Sequence, residues 1–267
     1  MANFNLKNLD WTRVLIHDIE TVSSHSKYTD LSPTMQQLWN IKSEQIQRKT
    51  PEQERLSPED SYEALGGIYA EFGKIVCISV GAFVKNKEIG QLQLHVKSYY
   101  DHDEKKLLTE FAQLLEKRYN DPHLDFICGH NIKEFDVPYI CRRMIVHKVP
   151  LPKVINLTGK KPWETRLLDT LSLWKFGDYK AYTSLKLLCG LFGIPTPKDD
   201  IDGSEVGKTY WQAGDLDRIE VYCKKDVVAT AQVLIRMALQ PLLTEEQIVI
   251  HGNKFKATLP KEQGKSG

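Results

Sequence analysis

Four carboxylates in three separated segments are the residues whose types and spacing could do chemistry. Asp18 and Glu20 follow the apolar run Val14-Leu15-Ile16, Asp136 sits in Asn131-Ile132-Lys133-Glu134-Phe135-Asp136-Val137-Pro138, and Asp226 closes Tyr222-Cys223-Lys224-Lys225-Asp226. An unpaired carboxylate built into a folded core is costly. Several acids held together repel one another unless protons or cations intervene. Convergence of these four would therefore call for divalent cations, and a pair of such ions points to phosphodiester chemistry. Asp18 and Glu20, two apart on a strand, share a face with Val14 and Ile16; Tyr222 and Asp226, four apart on a helix, are neighbours. Each segment alone has an ordinary explanation. Strand ends carry acids, Asp136 would compensate a helix dipole, and Asn131 would serve as a cap.

The elements that must position these residues follow from periodicity. Arg13 to Asp18 reads as a strand, Lys74 to Val84 as a second, and Ile89 to Tyr99 as a third, with Lys85-Asn86-Lys87-Glu88 turning between the last two. Apolar residues recur at helical spacing over Asp103 to Tyr119. Asp125 to Cys128 and Arg166 to Asp169 are short strands, and Lys133 to His147, Ser184 to Phe192, Gly203 to Ala213 and Asp215 to Leu239 are helices. Antiparallel strands followed by strands alternating with helices give an α/β class with a mixed sheet. Polar, proline-containing residues 23–65 are expected as a partly helical insertion within a domain spanning 1–243, and residues 244–267 as a polar tail.

Bulk composition narrows the function classes. An apolar fraction of 41% supports a sizeable core. With 36 Lys plus Arg against 35 Asp plus Glu, the chain is not built to coat duplex by charge alone. The five cysteines show no metal-ligand spacing and read as buried reduced thiols, consistent with a cytoplasmic location. The N-terminal residues lack the apolar run of a signal peptide, no stretch approaches the roughly 20 apolar residues of a membrane span, and no polymerase domain is expected in a chain of this length. Gly264-Lys265-Ser266 does not make a P-loop, because position 259 is Leu.

Taken together, Asp18-Ile19-Glu20 on the first strand, Asn131 with Phe135-Asp136 opening a mid-chain helix, and Tyr222 with Asp226 on a late helix resemble the three exonuclease motifs of the DnaQ-like, or DEDDy, superfamily. Glu71-Phe72-Gly73-Lys74-Ile75-Val76-Cys77-Ile78-Ser79, Asp202-Gly203-Ser204-Glu205-Val206 and Tyr222-Cys223-Lys224-Lys225-Asp226-Val227 are similar to stand-alone bacterial predicted 3′–5′ exonucleases related to the proofreading domain of B-family DNA polymerases. The resemblance spans about Val14 to Leu239. It implies an RNase H-like fold with a mainly five-stranded mixed sheet, its first three strands antiparallel and the rest parallel, flanked by helices. It also implies two Mg²⁺ or Mn²⁺ ions about 3.5–4 Å apart, with Asp18, Glu20, Asp136 and Asp226 as ligands and Tyr222 orienting the attacking water. Ile19, Thr21, Asn131 and Phe135 match positions that line the pocket for the terminal nucleotide. The implied reaction is hydrolysis at the 3′ end of single-stranded DNA with release of nucleoside 5′-monophosphates. RNA as substrate, or a nucleic-acid-binding module without turnover, are the alternatives.

Other residues carry plainer expectations. His17 should face away from Asp18 and pack, as should His130; Asp169 reads as a helix cap rather than a fifth ligand. The basic stretch from Arg142 to Arg166, with Trp163 inside it, is either a rim for single strands or a solvated loop. Lys224 and Lys225 depart from the polar or acidic pair expected by resemblance and read as a solvated helix face.

Overall fold

Strand β1 (Val14–Ser23) alternates its side chains between two apolar layers, and this alternation organises the molecule. A computed structural model describes residues 6–86, 90–180, 182–195 and 201–253. β1 pairs antiparallel with β2 (Gly73–Lys85), which pairs antiparallel with β3 (Leu92–Tyr100). On its other edge β1 runs parallel to β4 (Phe126–Gly129), and β4 parallel to β5 (Leu167–Asp169). A sixth strand, β6 (Ile248–Ile250), runs parallel to β3, so the order is β5-β4-β1-β2-β3-β6. The five expected strands and their directions are present. Residues 87 and 88 of the expected turn lie outside the described residues.

The expected polar tail is corrected at its start. Ile248-Val249-Ile250 is a β-branched triplet that covers the β3 edge, too short to stand out amid polar neighbours. Residues 254–267 lie outside the described residues.

Val14 and Ile16 face α8 (Leu216–Met237), packing with Val227, Val228, Ala231 and Leu234. Leu15 and Ile19 face α3 (Glu104–Arg118) and α4 (Asp136–Val146), packing with Leu107, Phe111, Ile140 and Met144. Each such fully buried aliphatic or aromatic side chain contributes about 1.5–3 kcal/mol, so this register is strongly held; a slip of one residue would turn the acids to the wrong face. Gly81 on β2 sets how closely α8 approaches, because a Cβ there would lie 2.9 Å from Val227 Cγ1.

The 23–65 segment is an ordered unit. Ser32 and Ser57 cap α1 (Pro33–Ile46) and α2 (Pro58–Leu65), each with proline in the first turn. Between them Trp39 is fully buried among Tyr28, Leu31, Tyr62 and Phe72, and its indole Nε1 donates to Pro58 O at 2.9 Å. Among the described residues three helices follow β5 before α8: α5 (Thr170–Lys175), α6 (Leu185–Phe192) and α7 (Val206–Trp211). Among the described residues no helix is long and apolar enough to cross a membrane.

Candidate active site

Where β1 passes beyond the apolar layer facing α8, Asp18 and Glu20 continue the row begun by Val14 and Ile16. Asp18 is half-buried, and Glu20 is 7% exposed. The β1–β2 register shifts between Glu20 and Thr21, a bulge that marks the end of regular pairing beside the acids.

Helix α8 lies over these two carboxylates. Cys223 Sγ donates to Asp18 Oδ2 and to Asp18 O, each at 3.4 Å. Donor atoms of Asp18, Glu20 and Cys223 all lie within 4.8 Å of one another. Asp226, one turn further along the same face, is near enough that its charge raises the pKa of both Asp18 and Glu20. Tyr222 donates a hydrogen bond to Asp226; burial, with the charges of Asp226, Glu20 and Asp18, pushes its phenol far above its ordinary range.

The third segment arrives through a loop. Gly129 ends β4 against Ile132, where a Cβ would sit 2.0 Å from Ile132 Cγ2, so only glycine lets the chain turn there. Asn131 takes a left-handed φ of 65° and is half-exposed. Asp169 holds this turn while capping α5: its carboxylate accepts from Asn131 N (3.0 Å), Lys133 N (3.2 Å), Leu171 N (3.0 Å) and Ser172 N (3.2 Å). The cap reading was correct but incomplete, because the same oxygens anchor the loop that delivers Asp136. Asp136 opens α4 three residues later than the helix read from sequence, is buried, and accepts a hydrogen bond from the Ile19 backbone N–H. Burial pushes its carboxyl up to about 7; the bonds from its own and the Ile19 N–H pull it back, and Asp169 adds repulsion.

Asp18 and Glu20 are raised well above the usual carboxylate range, chiefly by burial. Asp136 and Asp226 add most to Asp18, while Asp18 and Asp226 add most to Glu20. The three segments therefore meet, and the donors are hard oxygens plus one thiol. Such a set suits divalent cations, which would replace the protons these acids otherwise keep.

The residues matched to the nucleotide pocket divide. The Ile19 side chain is core, and the Thr21 hydroxyl is engaged with Tyr139. Phe135 is half-buried, packed on the core and 5.4 Å from the Tyr139 ring. Asn131 and part of Phe135 remain accessible. His17 is buried on the opposite face against Phe111, with burial lowering it to about 4. His130 packs between Thr170 Oγ1 (2.9 Å) and Thr183 O (3.0 Å).

Two readings of cations are corrected. Lys224 is fully buried: its Nζ donates to His251 O (2.7 Å) and Asn253 O (3.0 Å) and pairs with Glu220, which ties β6 to α8. Arg143, counted in the basic stretch, is buried in a two-pronged pair with Glu104 (2.6 Å). The segment between α4 and β5 is moreover anchored at the strand ends opposite the carboxylates, since β1, β4 and β5 run parallel. Nearer the acids, beyond Ser23, a cleft of about 540 Å³ lies between the 23–65 unit and α7, lined by Lys27, Asp60, Glu63, Lys208 and Trp211.

Cys223 is the site neighbour that sequence reading passed over. It stood as a buried thiol, although its place three residues before Asp226 on an α-helix already set both on one face.

A family model described as a predicted 3′–5′ exonuclease related to the exonuclease domain of PolB matches residues 68–266. Asp136, Tyr222 and Asp226 fall inside that range; Asp18, Glu20 and the whole 23–65 unit precede it. A DNA polymerase of Archaeoglobus fulgidus is 28% identical over 148 residues, which are 52% of this chain and 18% of that polymerase. The chain thus spans less than a fifth of that relative's length.

Proposed function

The chain belongs to the family of predicted 3′–5′ exonucleases related to the exonuclease domain of PolB, and on that premise we propose that it hydrolyses single-stranded DNA from the 3′ end, using two Mg²⁺ or Mn²⁺ ions and releasing nucleoside 5′-monophosphates. The observation that carries this reading is the electrostatic meeting of Asp18, Glu20, Asp136 and Asp226 from β1, α4 and α8. Buried acids that raise one another are unfavourable as a merely structural cluster; held around cations they become a phosphodiesterase site.

When bound, the ions would supply activation of water and neutralisation of charge on the scissile phosphate. Asp18, Glu20 and Asp226 would hold one ion; Asp18, with Asp136 through water, would hold the other. Tyr222 keeps its proton, so its hydroxyl orients the attacking water by hydrogen bonding and does not act as a base. Its bond to Asp226 would hold the hydroxyl beside the acids. The left-handed turn at Asn131 and the accessible edge of Phe135 offer an amide and an aromatic surface to the terminal base and sugar. The backbone of Ile19 and Thr21 forms the floor. We further propose a single catalytic domain that includes the 23–65 unit.

The deciding experiment is digestion of 3′-end-matched single-stranded DNA and RNA oligonucleotides with Mn²⁺, Mg²⁺ or chelator. The proposal expects stepwise mononucleotide release from DNA, abolished by chelator and absent on circular single strands. Binding without release would defeat it, and faster release from RNA would reassign the substrate.

A further inference from the structure

The ligand set just proposed leaves one donor unused. Cys223 Sγ stands 3.4 Å from Asp18 Oδ2, with a Glu20 oxygen inside the same 4.8 Å group. Glu20 is 7% exposed, and among the described residues its carboxylate accepts no hydrogen bond. A tetrahedral Zn²⁺ holds a thiolate at about 2.3 Å and a carboxylate at about 2.0 Å, which sets those donor atoms about 3.5 Å apart. The spacing of the S–H···O pair is therefore already that of a pair bridged by a metal ion. Magnesium has little affinity for sulfur, whereas cobalt and zinc accept thiolate readily and bind more tightly along the divalent series.

We propose that Cys223, with Asp18 and Glu20, forms a thiophilic cation site that takes Zn²⁺ or Co²⁺ and thereby displaces the hard ions of the nuclease centre. Binding replaces the thiol proton, which leaves to solvent; no electron is transferred. Three protein ligands leave one coordination position for water. The consequence is that Zn²⁺ antagonises Mn²⁺. The inference rests on the nuclease reading only in assigning Asp18 and Glu20 as ligands. Cys77 touches Cys223 from β2 and is the control thiol.

The test is an anaerobic titration of the metal-free full chain with Co²⁺, followed by absorbance. Wild type is expected to show a near-ultraviolet thiolate-to-cobalt charge-transfer band; Cys223→Ser and Cys223→Ala should lose it, and Cys77→Ser should keep it. The Zn²⁺ concentration that halves Mn²⁺-supported mononucleotide release should rise at least about tenfold in Cys223→Ser, since even outer ligands to a metal are worth that much. Visible cobalt bands without charge transfer in wild type would overturn the proposal, as would a band that persists in a folded Cys223 variant. Absence of any Mn²⁺-dependent release would instead strike the nuclease reading, and the cobalt spectrum would still decide the thiol's role.

Discussion

The backbone N–H of Ile19 donates to the carboxylate of Asp136, across the edge of β1 that β4 leaves uncovered after Cys128. The residue between the two strand acids thereby fixes the acid of the mid-chain helix. Asp136→Asn keeps an acceptor for Ile19 and removes a charge from the cluster. It should lose at least about 10²-fold in mononucleotide release, the scale of removing one electrostatic stabiliser, while unfolding in chelator at no lower urea concentration than wild type. Asp136→Ala should also cost about 1–3 kcal/mol in that measurement, because the Ile19 N–H is left unpaired. Retained activity in both variants would remove Asp136 from the site.

The sign of the pH dependence follows from Asp136. Its carboxyl is raised to about 7 from 3.8, so the folded state binds more protons in that window and metal-free stability falls as pH rises through it. His17, lowered to about 4 from 6.5, works oppositely, its contribution being lost as pH falls below 6.5. Above 6.5 only the acids remain. Thermal unfolding in chelator should therefore drop between pH 6.5 and 8, and added Mn²⁺ should raise Tm more at the upper end. A flat profile with no metal shift would contradict a cation-binding acid cluster.

Tyr222→Phe removes the hydroxyl without emptying the ring's place. Release should slow by about 10²-fold and remain measurable, whereas Asp18→Ala or Asp226→Ala should leave none. A loss in Tyr222→Phe equal to that of a carboxylate would mean the hydroxyl does more than orient water.

Asp169 collects four backbone N–H groups while touching none of the proposed chemistry. Asp169→Ala should lower Tm and reduce kcat more than it raises KM, because the loop bearing Asn131 and Asp136 loses its anchor. An unchanged kcat in a folded Asp169→Ala protein would separate this loop from catalysis.

Lys224 is a structural cation. Lys224→Met leaves Glu220 and two carbonyls without their partner and should cost about 3–5 kcal/mol in urea unfolding. The KM for oligonucleotide should not change in a folded variant, whereas a phosphate-contacting lysine would raise it. Deleting residues 244–267 should destabilise the protein through the same contacts.

The local content of the site was legible from order and spacing. Alternation along Val14 to Glu20 put two acids on one face, and the helices read from Asp103 and Ser184 do begin there, each of these residues serving as the cap. Boundaries slipped where the backbone leaves regular form, as at Asn131, whose left-handed turn delays α4 to Asp136. The short β6 triplet escaped notice, since three β-branched residues make no period.

The sequence by itself determined which residues could carry charge to a common place, because strand and helix periodicities follow from backbone geometry alone. Only the tertiary structure decided which of them share an environment. Arg143 and Lys224 look like solvated cations along the chain, yet each is buried by partners distant in sequence, Glu104 and the carbonyls of His251 and Asn253. Cys223 became a neighbour of Asp18 only when α8 settled on the sheet, at a distance Gly81 permits. The physical reason is that periodicity describes the faces of one element, whereas burial, repulsion and ligand geometry are properties of two surfaces brought into contact.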